Sequence, residues 1–139
     1  MDLLSLANGI ETHLQKECKQ VEVLTEYNSD SCSWQFVLDD ELTGYVSCEK
    51  GAEYLDLPTV TIAVCLGDLA DANKEDLLHL FEVNGFFYRT HFTVQKIEES
   101  WMLFIGYKVM AESYRPEEFQ ECIDHILSQY SYYMGDKKD

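Results

Sequence analysis

The residues closest to a metal-binding spacing are Asp71, Asn73, Glu75, His79 and Glu82, which take the first, third, fifth, ninth and twelfth places of an EF-hand frame. Such a loop would surround calcium with oxygen ligands, yet its sixth place, which needs glycine for the sharp turn, holds Asp76. The same letters spell a capped helix. Asn73 is a good N-cap, Glu75 and Asp76 sit where the helix dipole favours acids, and Leu77, Leu80 and Phe81 then share an apolar face that the loop conformation would scatter.

No other constellation specifies a reaction. His13, His79, His91 and His125 are scattered; Cys122 and His125 are three residues apart on a candidate helix, but two ligands do not make a zinc site. Cysteine–histidine nucleophilic catalysis also needs an orienting third group and an electropositive setting, and neither is recognisable. The acid runs Asp39-Asp40-Glu41 and Glu98-Glu99 fall at turns, where solvated charge is the ordinary reading. Phosphate loops, GxSxG and dinucleotide fingerprints are absent. The expectation is a non-enzymatic chain with no cofactor and no metal; a small enzyme with an unrecognised acidic site is the alternative, which a deep Asp- or Glu-lined pocket would revive.

Those residues would be carried by alternating helices and strands. Leu3, Leu6, Ala7, Ile10 and Leu14 recur at helical spacing from about Leu3 to Glu17, an apolar face that packs on the chain's own sheet or on another chain. Period two follows in Val21, Val23 and Tyr27, then in Trp34, Phe36 and Leu38, then in Gly44, Val46 and Cys48, with polar turns between. These read as an antiparallel meander. After Pro58, Val60, Ile62, Val64 and Leu66 alternate as a strong strand; the capped helix ends at Asn84-Gly85 with a left-handed stop; Phe86 to Ile97 and Trp101 to Val109 make a hairpin. Pro116 opens a last helix with the stripe Phe119, Cys122, Ile123, Ile126, Leu127 and Tyr130. The fold class is α+β: three helices and an antiparallel sheet of five to six strands in the order α-β-β-β-(β)-α-β-β-α, forming one domain over 1–134 with a flexible tail at 135–139.

Size and composition agree with one folded domain. The chain has 139 residues, 46% hydrophobic and 13% aromatic, with a formal charge of −16 from 26 acids against 10 bases. That charge repels nucleic-acid backbones and anionic membranes. The first apolar run lacks a basic leader and is soon broken by Asn8, Glu11 and His13, and five cysteines without a CxxC fit reduced thiols, so a cytoplasmic location is expected. What remains is recognition of another polypeptide by sheet edges and amphipathic helices.

The element order, together with Asp76 through Gly85 and Arg115-Pro116-Glu117-Glu118-Phe119 opening the final helix, resembles the small acidic effector chaperones of bacterial type III secretion systems. It is also similar to the YbjN-like proteins that share their fold, towards which the aromatic run Phe86-Phe87-Tyr88-Arg89 leans. The chaperone resemblance implies a homodimer that binds an extended segment of a secreted effector or other protein. Carried onto this chain, it makes Leu3, Leu6, Ile10, Trp34 and Phe36 candidate partner contacts, and Leu77, Leu80 and Phe81 candidates for the dimer interface. The YbjN-like branch implies a cytosolic regulatory role.

Overall fold

A computed structural model describes residues 3–25, 31–38, 42–51, 57–86 and 89–138. The turns expected at 28–30 and 39–41, most of the irregular stretch before Pro58, and Phe87 and Tyr88 lie outside them. The elements run α1 (Leu3–Glu17), β1 (Lys19–Thr25), β2 (Ser31–Val37), β3 (Thr43–Glu49), β4 (Thr59–Asp68), α2 (Lys74–Asn84), β5 (His91–Ile97), β6 (Ser100–Met110), a 3-10 turn (Ala111–Ser113) and α3 (Pro116–Lys138). The fold is α+β, with three helices and a six-stranded antiparallel sheet ordered β1-β2-β3-β4-β6-β5. The expected meander supplies the first four strands, and the β5–β6 hairpin joins through β6, which leaves β1 and β5 as the edges.

Alternation decides which side of the sheet is covered. Cys32, Trp34 and Phe36 of β2, Val46 and Cys48 of β3, and Val60, Ile62 and Val64 of β4 are buried with Leu6, Ile10 and Leu14 of α1 and Phe119, Ile123 and Ile126 of α3 in one core. The intervening side chains Ser33, Gln35, Tyr45, Ser47 and Thr61 are half-buried on the opposite face. The helices are thus segregated to one side, as an antiparallel sheet permits. An aromatic stack ties the layers together: the Phe119 ring lies 5.6 Å from Phe36 and 4.9 Å from His13 of α1. Phe36 in turn lies directly across from Gly44, its strand partner, where a side chain would collide with the ring.

Three local details differ from expectation. Gly85 has φ −65°, a right-handed conformation, so α2 does not end on a left-handed residue. It ends because Asn84 turns its amide to the next strand: Phe92 N donates to Asn84 Oδ1 at 2.7 Å and Asn84 Nδ2 donates to Phe92 O at 3.1 Å. Second, the strand after α2 begins at His91 rather than Phe86, following Arg89 at φ 71°. Third, α3 stays helical to Lys138, through the stretch read as a tail. Elsewhere, Gly67 at φ 128° occupies the irregularity between Cys65 and Gly67 in the β4–β6 register, a backbone state that glycine enters without strain.

Candidate partner-binding surface

The EF-hand frame resolves into helix-capping geometry. Asp76 N donates to Asn73 Oδ1 at 2.8 Å and Asn73 N donates to Asp76 Oδ2 at 3.1 Å, a reciprocal capping box. Asp68 Oδ1 accepts from Ala70 N at 3.1 Å. Asp68, Asp71 and Asp76 share the wall of a hollow of about 380 Å³ with Leu66, Leu69 and Leu103, but two of these carboxylates already serve the backbone. Among the described residues, no three His, Cys, Asp or Glu side chains converge as a metal site would require.

The Cys122–His125 pair separates in the same way. Cys122 is buried, and burial above all pushes its thiol up to about 12, which keeps it protonated and poorly nucleophilic at neutral pH. His125 Nε2 accepts from Gln129 Nε2 at 3.1 Å, and Gln129 Oε1 accepts from Thr90 Oγ1. Next to Thr90, Arg89 Nη2 meets Glu118 Oε2 at 2.5 Å and Tyr107 Oη at 3.3 Å, with its guanidinium 5.2 Å from the Tyr107 ring centre. This network fastens the loop ahead of β5 to α3. It holds β5 in place, which is a structural use of every polar group in it.

The uncovered sheet face forms an open hollow of about 480 Å³ lined by Ser33, Ser47, Thr61, Thr93, Tyr45 and Phe104 among others. Phe104 is buried there against Tyr45, with ring centres 5.9 Å apart, and burial pushes the Tyr45 phenol up. Leu24, Ala63, Val94 and Ile97 add apolar surface to these hydroxyls, and Glu49 and Lys108 add one charge of each sign.

The sequence-derived partner contacts lie inside the molecule. Ile10 is 1% exposed, Trp34 3% and Phe36 0%, and Leu6 is buried with them, while the Leu3 side chain lies outside the described residues. A partner could touch them only if α1 lifted from the sheet. The α2 residues divide differently. Leu80 and Val83 are the buried pair of that helix, whereas Leu77 is 38% exposed and Phe81 75%. The buried stripe follows the three-residue step from Leu80 to Val83, and Phe81, about 100° further round the helix, faces outward.

Outward-facing Phe81 and Leu77 belong to a continuous apolar strip that sequence reasoning found only in part. Leu77, Phe81 and Val94 line one shallow groove with Leu80, Phe92 and Leu103, and Leu77 and Val94 line a second with Leu69 and Trp101. Val94 and Trp101 are both more than half exposed. The strip joins α2 to β5 and β6 and lies along the free edge that β5 forms. The signal for the added members was present, since Val94 shares the parity of buried Phe92 and Trp101 that of buried Leu103.

The two edges of the sheet are built differently. β1 has register irregularities between Lys19 and Glu22 and again between Val23 and Thr25. Bulges and edge charges of that kind discourage strand addition. β5 pairs with β6 without interruption from His91 to Ile97, and Lys96 is the one lysine in it. Beside β1, a hollow of about 480 Å³ is lined by Cys18, Val37, Leu38, Ile123 and Leu127 together with polar residues. No helix is long and apolar enough to cross a membrane among the described residues. No protein-family model matches the chain, and no curated protein matches its sequence.

Proposed function

We propose that this chain is a non-enzymatic protein-binding domain that works as a homodimer and, in the manner of the type III secretion chaperones it resembles, holds an extended segment of a partner protein. The observation that carries the reading is the apolar strip of Leu77, Phe81, Val94 and Trp101 beside the regular free edge of β5. Contiguous apolar surface on rigid elements is uncommon away from interaction sites. A second copy suits it because antiparallel pairing of two β5 strands about Val94 sets each Lys96 opposite a Phe92, so like charges do not meet. The partner segment is assigned to the uncovered face of the sheet, where exposed Leu24 of β1 lines the hollow shared by Tyr45, Ala63 and Phe104.

Analytical ultracentrifugation tests the dimer, and suppression of aggregation of a chemically unfolded protein without nucleotide tests the holding activity. The expected result is a dimer at micromolar concentration that Phe81→Glu converts to a folded monomer, with holding activity reduced by Leu24→Lys. A wild-type chain that stays monomeric at about 100 μM, or that leaves the aggregation rate unchanged, overturns the proposal. A captured partner that is folded rather than extended would favour the YbjN-like regulatory role instead.

A further inference from the structure

Cys32 and Cys48 face each other across β2 and β3 as direct register partners, both buried in the layer between sheet and helices. Directly opposed residues of antiparallel strands have Cα atoms about 4.5 or 5.5 Å apart. Both separations fall inside the range of about 4.4–6.8 Å that a disulfide spans. The two sulfurs are in hydrogen-bond contact, and the Cys48 backbone N–H donates to the Cys32 sulfur. The other cysteines lack this arrangement. Cys65 lies opposite Phe104 on β4, Cys18 follows the end of α1, and Cys122 sits on α3. All five are free thiols here.

From this geometry we infer that Cys32 and Cys48 are an oxidation site, a dithiol that a small peroxide converts to an intramolecular disulfide with Cys32 as the attacking sulfur and Cys48 as the resolving one. The Cys48 backbone N–H on the Cys32 sulfur stabilises its thiolate relative to that of Cys48. The Cys32 thiolate attacks one oxygen of hydrogen peroxide, the O–O bond breaks, and the departing hydroxide takes up the proton released by Cys32 to leave as water. Cys32 is then a sulfenic acid. The Cys48 sulfur attacks the Cys32 sulfur, the S–O bond breaks, and the hydroxyl leaves as a second water carrying the Cys48 proton. Two thiols lose two electrons in total and one peroxide becomes two waters. The product closes the β2–β3 hairpin into a covalent ring at the end away from its own turn. Burial pushes both thiols up, so the reaction is slow and needs a small oxidant or a transient opening of α1.

The experiment is graded peroxide treatment of the reduced, folded chain, an alkylating quench in denaturant, and peptide mapping by mass spectrometry. The expected result is a Cys32–Cys48 cross-linked peptide, lighter by two hydrogens than the reduced pair and restored by dithiothreitol. In Cys48→Ala, the same dose should leave a dimedone-reactive sulfenic acid on Cys32; in Cys32→Ala, Cys48 should remain a thiol. Wild-type mapping decides the matter even where a variant folds poorly. The inference is overturned if Cys32 and Cys48 are both recovered as thiols at a dose that oxidises Cys18 or Cys65, or if Cys48 is found joined to Cys122. Oxidation of Cys48 ahead of Cys32 in the wild type would overturn the assigned order.

Discussion

Gly44→Ala is a single-methyl change whose effect can be worked out from the contact it would make. A Cβ on Gly44 would stand 3.0 Å from Phe36 Cε1 and nearer still to Cε2 and Cζ. The ring has nowhere to go: Phe36 is 0% exposed and Phe119 covers it at 5.6 Å, with His13 of α1 beyond. Accommodation requires an off-rotamer Phe36 or a local separation of β2 from β3, a class of overpacking that costs about 1–3 kcal/mol. Replacing glycine in a strand returns roughly 0.5–1 kcal/mol through the unfolded state, so the expected net loss is centred on about 1 kcal/mol. Urea unfolding at fixed protomer concentration should show a lower midpoint with an unchanged slope. Phe36→Leu opens space at the same spot, so the double variant should be at least ~0.5 kcal/mol more stable than the two single losses added together. Wild-type stability in Gly44→Ala, or strict additivity in the double variant, would refute the account of Phe36 packed over Gly44.

Other perturbations have a sign fixed by the structure. The Tyr114 hydroxyl is buried without a hydrogen-bond partner among the described residues, so Tyr114→Phe should leave thermal stability unchanged or raise it by up to about 1 kcal/mol; a clear loss would point to a further partner. Glu98 and Glu99 turn the β5–β6 hairpin at φ 48° and 72°, the all-positive pattern that favours Asn-Gly, so Glu98→Asn with Glu99→Gly should stabilise by about 1 kcal/mol in urea melts. The exposed Lys96–Glu99 pair at 3.6 Å that this removes is of small consequence. Alkaline solutions should destabilise the reduced chain. Cys32, Cys48 and Cys122 keep their protons in the folded state above the usual value of 9.0, whereas the unfolded thiols ionise near it. The native state then binds more protons, and stability falls above about pH 9 by up to about 1.4 kcal/mol per pH unit for each thiol. For Cys122 the loss continues to about 12. Urea midpoints at rising pH should decline less steeply in Cys122→Val, and a flat profile would contradict the assigned burial.

Much of the fold is legible because each element carries its own period. The alternation of Trp34 and Phe36, of Val46 and Cys48 and of Val60, Ile62 and Val64 marks the covered face, and each of these residues is buried. Asn73 and Pro116 announce the helix starts, and both open helices in the structure. Periodicity is silent on what a face packs against. Leu6 and Ile10 have the spacing of a core stripe and equally of a docking stripe, and only the tertiary structure places them between α1 and the sheet. In α2, Leu77, Leu80, Phe81 and Val83 offer two overlapping stripes, and the choice between them depends on where β5 lies. That position is set by Asn84 bonding the backbone of Phe92 and by the Arg89–Glu118 pair, contacts with no short-range pattern. The facing of Cys32 and Cys48 follows from the hairpin's symmetry. A hairpin turning symmetrically about Asp40 pairs residue 32 with residue 48, and the observed register is that one.

The contrast between the two sheet edges is the strongest link from this architecture to an interaction role. A free strand edge presents unpaired N–H and C=O groups and invites association, and a chain that remains single blunts it. β1 carries that protection, with two register breaks and charges at Lys19 and Glu22. β5 has an unbroken register, and the surface around it is apolar, from Leu77 and Phe81 on α2 to Trp101 on β6. Core packing does not require this, since Leu80, Val83 and Phe92 already seal α2 and β5 to the sheet. Polar residues at Leu77, Phe81 and Trp101 would fold as well and dissolve better. In a chain whose charge is −16, an unguarded edge flanked by large apolar side chains is the feature on which the proposed polypeptide partner rests.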